Sequence, residues 1–318
     1  MSDTSPPLAA VLAAFVALYI VWGSTYLGIR FAIETMPPFT MAGLRFLSAG
    51  AILYVWSRAR GASAPTAAQW KTAAIVGGLL LLGGNGGVTW AEQWIPSGVA
   101  ALLIASVPMW MVLLDAVRPG GVRPGGAVIV GLAIGLVGIV VLVGPADLGG
   151  TEIDTIGALV VVAAALSWAV GSIYQRGAPK ANSTLLNVGM QMLAGGAGLL
   201  ALGVSVGERL DPGAVSLRSA LALAYLVFFG AIVGYSSYVW LLKVSTAAKA
   251  STYAYVNPIV AVILGWALAD EPLGPRVLVA SAAVVVAVAL ITTARPAPAR
   301  PPAVAAPLPS DDPARSTR

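Results

Sequence analysis

Ser251-Thr252-Tyr253-Ala254-Tyr255-Val256-Asn257-Pro258 stands inside an apolar run from about Ala247 to Ala269. The run is long enough to cross a bilayer, yet its middle holds hydroxyls, two aromatic rings, a carboxamide and a proline. Proline lacks a backbone donor and clashes with the carbonyl four residues earlier, so Pro258 predicts a helix bend. A carbonyl freed there cannot be solvated by lipid and needs a neighbouring helix or a water-lined cavity. The stretch therefore predicts the wall of a pathway inside a bundle of spanning helices.

Composition supports that reading along the whole chain. Hydrophobic residues make up 58% of the 318 and charged residues only 10%, where a soluble domain carries about a quarter charged. There is no cysteine and no histidine, which excludes disulfides, thiolate nucleophiles and the usual metal ligands. No metal site or cofactor is expected. The net charge of +5 falls in short loops rather than on one basic face, so nucleic acid is not an expected partner. The first apolar run follows a leader whose only charge is Asp3; a cleavable signal would have a basic leader and a shorter core. It predicts a retained span.

A window of about 20 apolar residues divides the chain into ten spans, near 8–29, 38–57, 72–90, 97–117, 125–144, 155–175, 184–206, 218–241, 248–269 and 275–294. Residues 1–7 read as a short leader, and 295–318, rich in Pro and Ala, as a disordered tail. Lysines and arginines set the orientation. With the N-terminus cytoplasmic, Arg58, Arg60, Lys71, Arg118, Arg123, Arg176, Lys180, Lys243, Lys249, Arg295, Arg300, Arg315 and Arg318 lie inside. Arg30, Arg209, Arg218 and Arg276 lie outside, a roughly threefold inward bias. Both termini are thus expected in the cytoplasm.

The halves resemble one another. Trp22 and Arg30 recur 146 residues on as Trp168 and Arg176, while Gly84, Trp90 and Pro108 recur 150 residues on as Gly234, Trp240 and Pro258. An odd number of spans per half makes the second copy enter from the opposite side. The expected fold is all-α and polytopic, with two five-helix inverted-topology repeats at 8–146 and 153–294. In such architectures the substrate site lies near the midplane between the halves.

Several stretches resemble the drug/metabolite transporter superfamily, specifically its ten-helix EamA-type exporters. They are WGSTYLGIR at 22–30, PPFTMAGLRF at 37–46, GNGGVTWAE at 84–92, PSGVAAL at 96–102 and STYAYVNPIVAVILG at 251–265. The resemblance covers nearly all of 8–294. It implies an inner-membrane exporter of amino acids, other metabolites or amphipathic drugs, with a central cavity between the halves.

The residues that could serve such a cavity are Trp22, Asn85, Trp168, Tyr235, Tyr238, Tyr253, Tyr255 and Asn257, since aromatic walls suit flat or amphipathic ligands. Pro108 and Pro258 mark paired helix bends. Arg45 is the basic residue well inside a span, where a guanidinium must face protein or water and find a partner. Two readings stand: an Arg45–Glu92 ion pair fixing two helices, or a gate or contact for a substrate carboxylate. The glycine run 83–87 offers either close helix packing or a flexible helix with Asn85 facing the cavity. Gly131 and Gly135 form a small face that packs within the chain or, less readily, between chains, giving a monomer or weak dimer.

The expected function is secondary transport of a small-molecule substrate by alternating access across a lipid bilayer, with no ATPase subunit. A channel-like facilitator and a polytopic membrane enzyme are the alternatives. The enzyme would need convergent nucleophiles or acids in a span, and the sequence offers none.

Overall fold

The computed structural model describes residues 7–118, 124–143, 153–234 and 253–293, with 237, 240, 241 and 244 between them. Described residues form α1 (Leu8–Ala32), α2 (Pro38–Ala59), α3 (Ala67–Ala91), α4 (Ser97–Val117), α5 (Gly126–Val143), α6 (Thr155–Gly177), α7 (Thr184–Ser205), α8 (Leu217–Val233), α9 (Tyr253–Ala269) and α10 (Pro275–Thr293). No strand occurs among them. Eight of these helices are long and apolar enough to cross a membrane, and Leu217–Val233 and Val256–Ala269 are shorter apolar stretches. The leader to residue 6 and the tail from 294 lie outside the described residues.

Apolar side chains face outward as well as inward. Val16, Ile20, Val137, Val140 and Ile156 are more than half exposed, a surface suited to acyl chains and not to water. The inward faces are built from small residues, which let backbones approach. At the α2–α7 contact a methyl group on Gly50 would lie 2.9 Å from the Gly189 carbonyl oxygen. Gly131, Gly135 and Gly138 of α5 face Ala287, Ile291, Ala283 and Val284 of α10, so this small-residue face packs within the chain.

The principal packing partners are α2 with α7 and α8, α5 with α10, α1 with α8 and α9, α3 with α7, α4 with α9, and α6 with α3 and α4. Exchanging α1–α5 for α6–α10 in order maps this set onto itself. At the centre lies the first half of α4, where Val99, Ala100, Leu102 and Leu103 are all buried. That explains why the stretch before Pro108 is so bare of polar groups.

Two elements depart from the regular helices expected. Gly78–Asn85 within α3 and Leu226–Val233 at the end of α8 are π-helical, and their starts lie 148 residues apart, within two of the repeat offset. A π segment widens the helix by one residue per turn and commonly sits at functional places. The two prolines also differ. Around Pro108, α4 breaks: it stops at Ile104 and resumes at Val107, and Ser106 Oγ donates to the Leu103 carbonyl at 2.7 Å. Through Pro258, α9 runs without a break.

Candidate functional site

The aromatic residues expected to line a cavity fall into two groups. On one side, Trp22 of α1 meets Tyr253 of α9 edge-on, with ring centroids 5.0 Å apart. The Trp22 indole N–H donates to the Gly230 carbonyl at 3.1 Å, and the ring covers Gly234, where a methyl group would lie 2.3 Å from Nε1. Asn257 is buried one turn further along α9. With its amide nitrogen turned toward α1, it donates to the carbonyls of Tyr253 at 3.2 Å and Tyr19 at 3.3 Å. Its amide thus ties α9 to α1.

On the other side, Trp168 of α6 covers Gly84 of α3, its Cε3 lying 3.0 Å from where a methyl group would stand. Ser167 donates to the Leu79 carbonyl at 2.7 Å, and Asn85 reaches back to the Leu80 carbonyl at 3.4 Å within the π segment. Gly83, Gly86 and Gly87 are close to Ser167, Leu199 and Ala164, so the glycine run is packed against neighbouring helices. Trp22 on Gly234 and Trp168 on Gly84 bring repeat-equivalent residues together, once in each direction between the halves, through different edges of the indole. Tyr235, Tyr238 and the Tyr255 side chain lie outside the described residues.

Beyond these aromatics lies a buried polar cluster at the far end of the bundle, the end holding the turns near 33–37, 92–96, 206–216 and 270–274. Arg45 and Glu92 are buried, at 6% and 0% exposed. The ion pair expected between them is not formed: no contact within 4 Å joins them among the described residues, and both Glu92 oxygens lack a hydrogen-bond partner. Arg45 instead lies over the Phe46 ring at 4.8 Å. Arg30 donates to the main-chain carbonyl of Glu92 at 2.6 Å. Glu92 stands one residue beyond α3. Burial, and after it the nearby Glu271 carboxylate, push its carboxyl well above the usual carboxylate range, against the opposing pull of Arg30 and Arg45.

Glu271 and Glu208 do work that sequence reasoning did not assign. After α7, Gly207 takes a positive φ of 83° and the amides of Gly207 and Glu208 bond back to Val204 and Gly203, a glycine-closed helix end. The reversal places Glu208 on the start of α2, where it accepts from Phe39 N at 3.0 Å, Thr40 N at 2.7 Å and Thr40 Oγ1 at 2.7 Å. After α9, Asp270 takes the positive φ (52°), and Glu271 accepts from Ser97 N at 2.7 Å and Gly98 N at 3.0 Å at the start of α4. Each carboxylate thus satisfies two orphan amides at a helix N-terminus, where the helix dipole also favours negative charge. The available signal was Pro37-Pro38 and Pro96-Ser97, which mark helix starts, with loop acids free to cap them.

Further ties join the halves at this end. Glu34 pairs with Arg218 at 3.2 Å, Thr35 Oγ1 accepts from Ser216 N at 3.0 Å, and Ser219 Oγ donates to the Phe31 carbonyl at 2.8 Å. A cavity of about 220 Å³ opens here, lined in part by Arg30, Trp94, Asp270 and Glu271. At the opposite end one of about 530 Å³ is lined in part by Trp56, Arg60, Gln69 and Asn182. Neither includes the aromatic candidates. No cluster of potential metal ligands occurs among the described residues.

The model of the EamA-like transporter family matches residues 8–144 and again 155–293. This chain belongs to the EamA-like transporter family. The inner membrane transporter YedA of Escherichia coli K12 is 40% identical over 291 residues, 90% of this chain and 91% of that protein. A protein of the same bacterium named a probable amino-acid metabolite efflux pump is 26% identical over 283 residues, 83% of this chain and 87% of the other. A solved crystal structure at 24% identity superposes with a TM-score of 0.61 over 89% of this chain and 97% of that one, which shows the fold. The EamA-like chain is accordingly a multi-pass membrane transporter of the drug/metabolite transporter superfamily.

Proposed function

We propose that this EamA-like transporter is a secondary exporter of small metabolites, amino acids or amphipathic compounds, working by alternating access through a cavity between two inverted five-helix halves. The observation that carries the reading is the reciprocal contact of Trp22 on Gly234 and Trp168 on Gly84. Contacts between repeat-equivalent residues in both directions are what two halves related by a pseudo-two-fold axis in the membrane plane would make. The relative named for amino-acid metabolite efflux supports amino acids among the candidate substrates. Basic-residue placement supports cytoplasmic termini, so that the far end faces outward.

Trp22, Tyr253 and Asn257 form the better-described wall of that cavity, with Trp168 and Asn85 facing it from the other half. Comparing metabolites inside and outside cells that lack or overproduce the protein identifies the substrate. Flux of that compound into vesicles then falls at least about tenfold in Trp22→Ala and Tyr253→Ala, equivalent to about 1.4 kcal/mol, while both proteins elute as folded particles. Normal flux in both variants overturns the cavity assignment. Unchanged metabolite pools in both strains overturn export.

A further inference from the structure

We propose that Glu92 is a proton-binding site, loaded while the far end of the bundle is closed and emptied when that end opens. The timing rests on the alternating-access reading; the site itself rests on geometry. Glu92 has no exposed surface, and neither of its carboxyl oxygens has a partner among the described residues. A buried carboxylate without hydrogen bonds is strongly disfavoured, and the group escapes that penalty by taking up a proton.

The groups around it do not replace those bonds. From α1, Arg30 spends its contact on the Glu92 main-chain carbonyl, and Tyr26 lies close enough to interact electrostatically. From α2, Arg45 acts only at a distance, its Nε buried without a partner. From the start of α6, Asp154 caps its own helix through Gly157 N at 2.6 Å. From the turn between α9 and α10 comes Glu271, a like charge held in place by two amides of α4. An ionised Glu92 would repel it; a neutral acid does not.

Glu271 also supplies the switch. It lines the 220 Å³ cavity with Arg30, Gln93 and Trp94, the last two being the residues that follow Glu92. Withdrawal of Glu271 from Ser97 and Gly98 removes the like charge and joins Glu92 to that cavity. The carboxyl O–H then breaks, its proton passes to water, and the carboxylate left behind faces Arg30 and Arg45. Closure reverses each step. One proton is thereby exchanged on the far side per opening.

The test reads proton occupancy and not flux, so it stands or fails apart from the transport reading. Full-length protein in lipid vesicles, without added substrate, is followed by infrared difference spectroscopy over about pH 4 to 10. A protonated-carboxyl band that shifts in heavy water is expected, lost in Glu92→Gln and kept in Asp115→Asn, which removes the acid paired with Arg118 at the other end of α4. Glu271→Gln, which leaves Glu92 in place, is expected to move the transition to lower pH by about one unit, a tenfold weaker hold on the proton. No such band in the native protein shows an ionised Glu92 balanced by the two arginines, and a band that survives Glu92→Gln belongs to another carboxyl; either result overturns the site. An unmoved transition in Glu271→Gln overturns the switch. Should Glu92→Gln fail to fold, Glu92→Asp must shift the band; an identical band assigns it elsewhere.

Discussion

Gly77 has no room for a methyl group. One built there would lie 2.4 Å from the Gln191 carbonyl oxygen and 2.9 Å from the Gly195 amide, both rigid backbone atoms. At Gly78, the next residue, a methyl group meets nothing within 4 Å. Overpacking against backbone costs about 1–3 kcal/mol, whereas alanine in an open helical position gains up to about 1 kcal/mol over glycine. Gly77→Ala is therefore expected to lower the melting temperature of the purified protein clearly, and Gly78→Ala to leave it level or raise it. Equal melting of the two variants contradicts the packing of α3 on α7. Neighbouring glycines look alike in the sequence, because the difference lies in which one faces the other helix.

Among the elements, the helix starts are where most was hidden. The all-helical, apolar character of the chain and the second half's echo of the first were legible, because hydropathy and the Trp, Gly and Pro spacings are local signals. The π segments were not, since a shift from four- to five-residue hydrogen bonding leaves little trace in residue type. Nor was the difference between Pro108 and Pro258: both predict a bend, but α4 breaks and α9 continues, with Asn257 serving nearby carbonyls. No motif marks Glu208 in the sequence, yet it satisfies two amides and a hydroxyl at the start of α2. Capping of this kind contributes about 0.5–2 kcal/mol. Glu208→Ala should lose stability in that range, and Glu208→Gln, which keeps one acceptor oxygen, should lose less. A thermal or denaturant series measures it, and Arg209→Ala should lie near the native value as a surface control. The same reasoning explains the unformed Arg45–Glu92 pair: neighbouring elements bring the charges near one another, but side-chain direction decides whether they touch.

For the whole molecule, the question is whether the far end opens during transport. Five described polar ties cross between the halves there: Glu208 on α2, Glu271 on α4, Glu34 with Arg218, Thr35 with Ser216, and Ser219 with Phe31. Each is worth little alone in a hydrated setting, so together they favour closure without making it permanent. Thr35 and Ser216 allow the point to be tested, for their hydroxyl oxygens are 3.5 Å apart. Side chains that meet in this way mark two positions for a trial disulfide, whose β-carbons must come to about 3.5–4.5 Å of each other. The native chain has no cysteine, so Thr35→Cys with Ser216→Cys offers one thiol pair and no competing partner. Oxidised, the pair holds α1's end against α8's start, and flux of the identified substrate should fall below about a tenth, a change of about 1.4 kcal/mol or more in the barrier. A reductant should restore it, and either single cysteine should behave as the native protein under both conditions. Full flux with the bond verified as formed would mean that the substrate passes without parting these elements, and the rocking of one half against the other at this end would have to be abandoned.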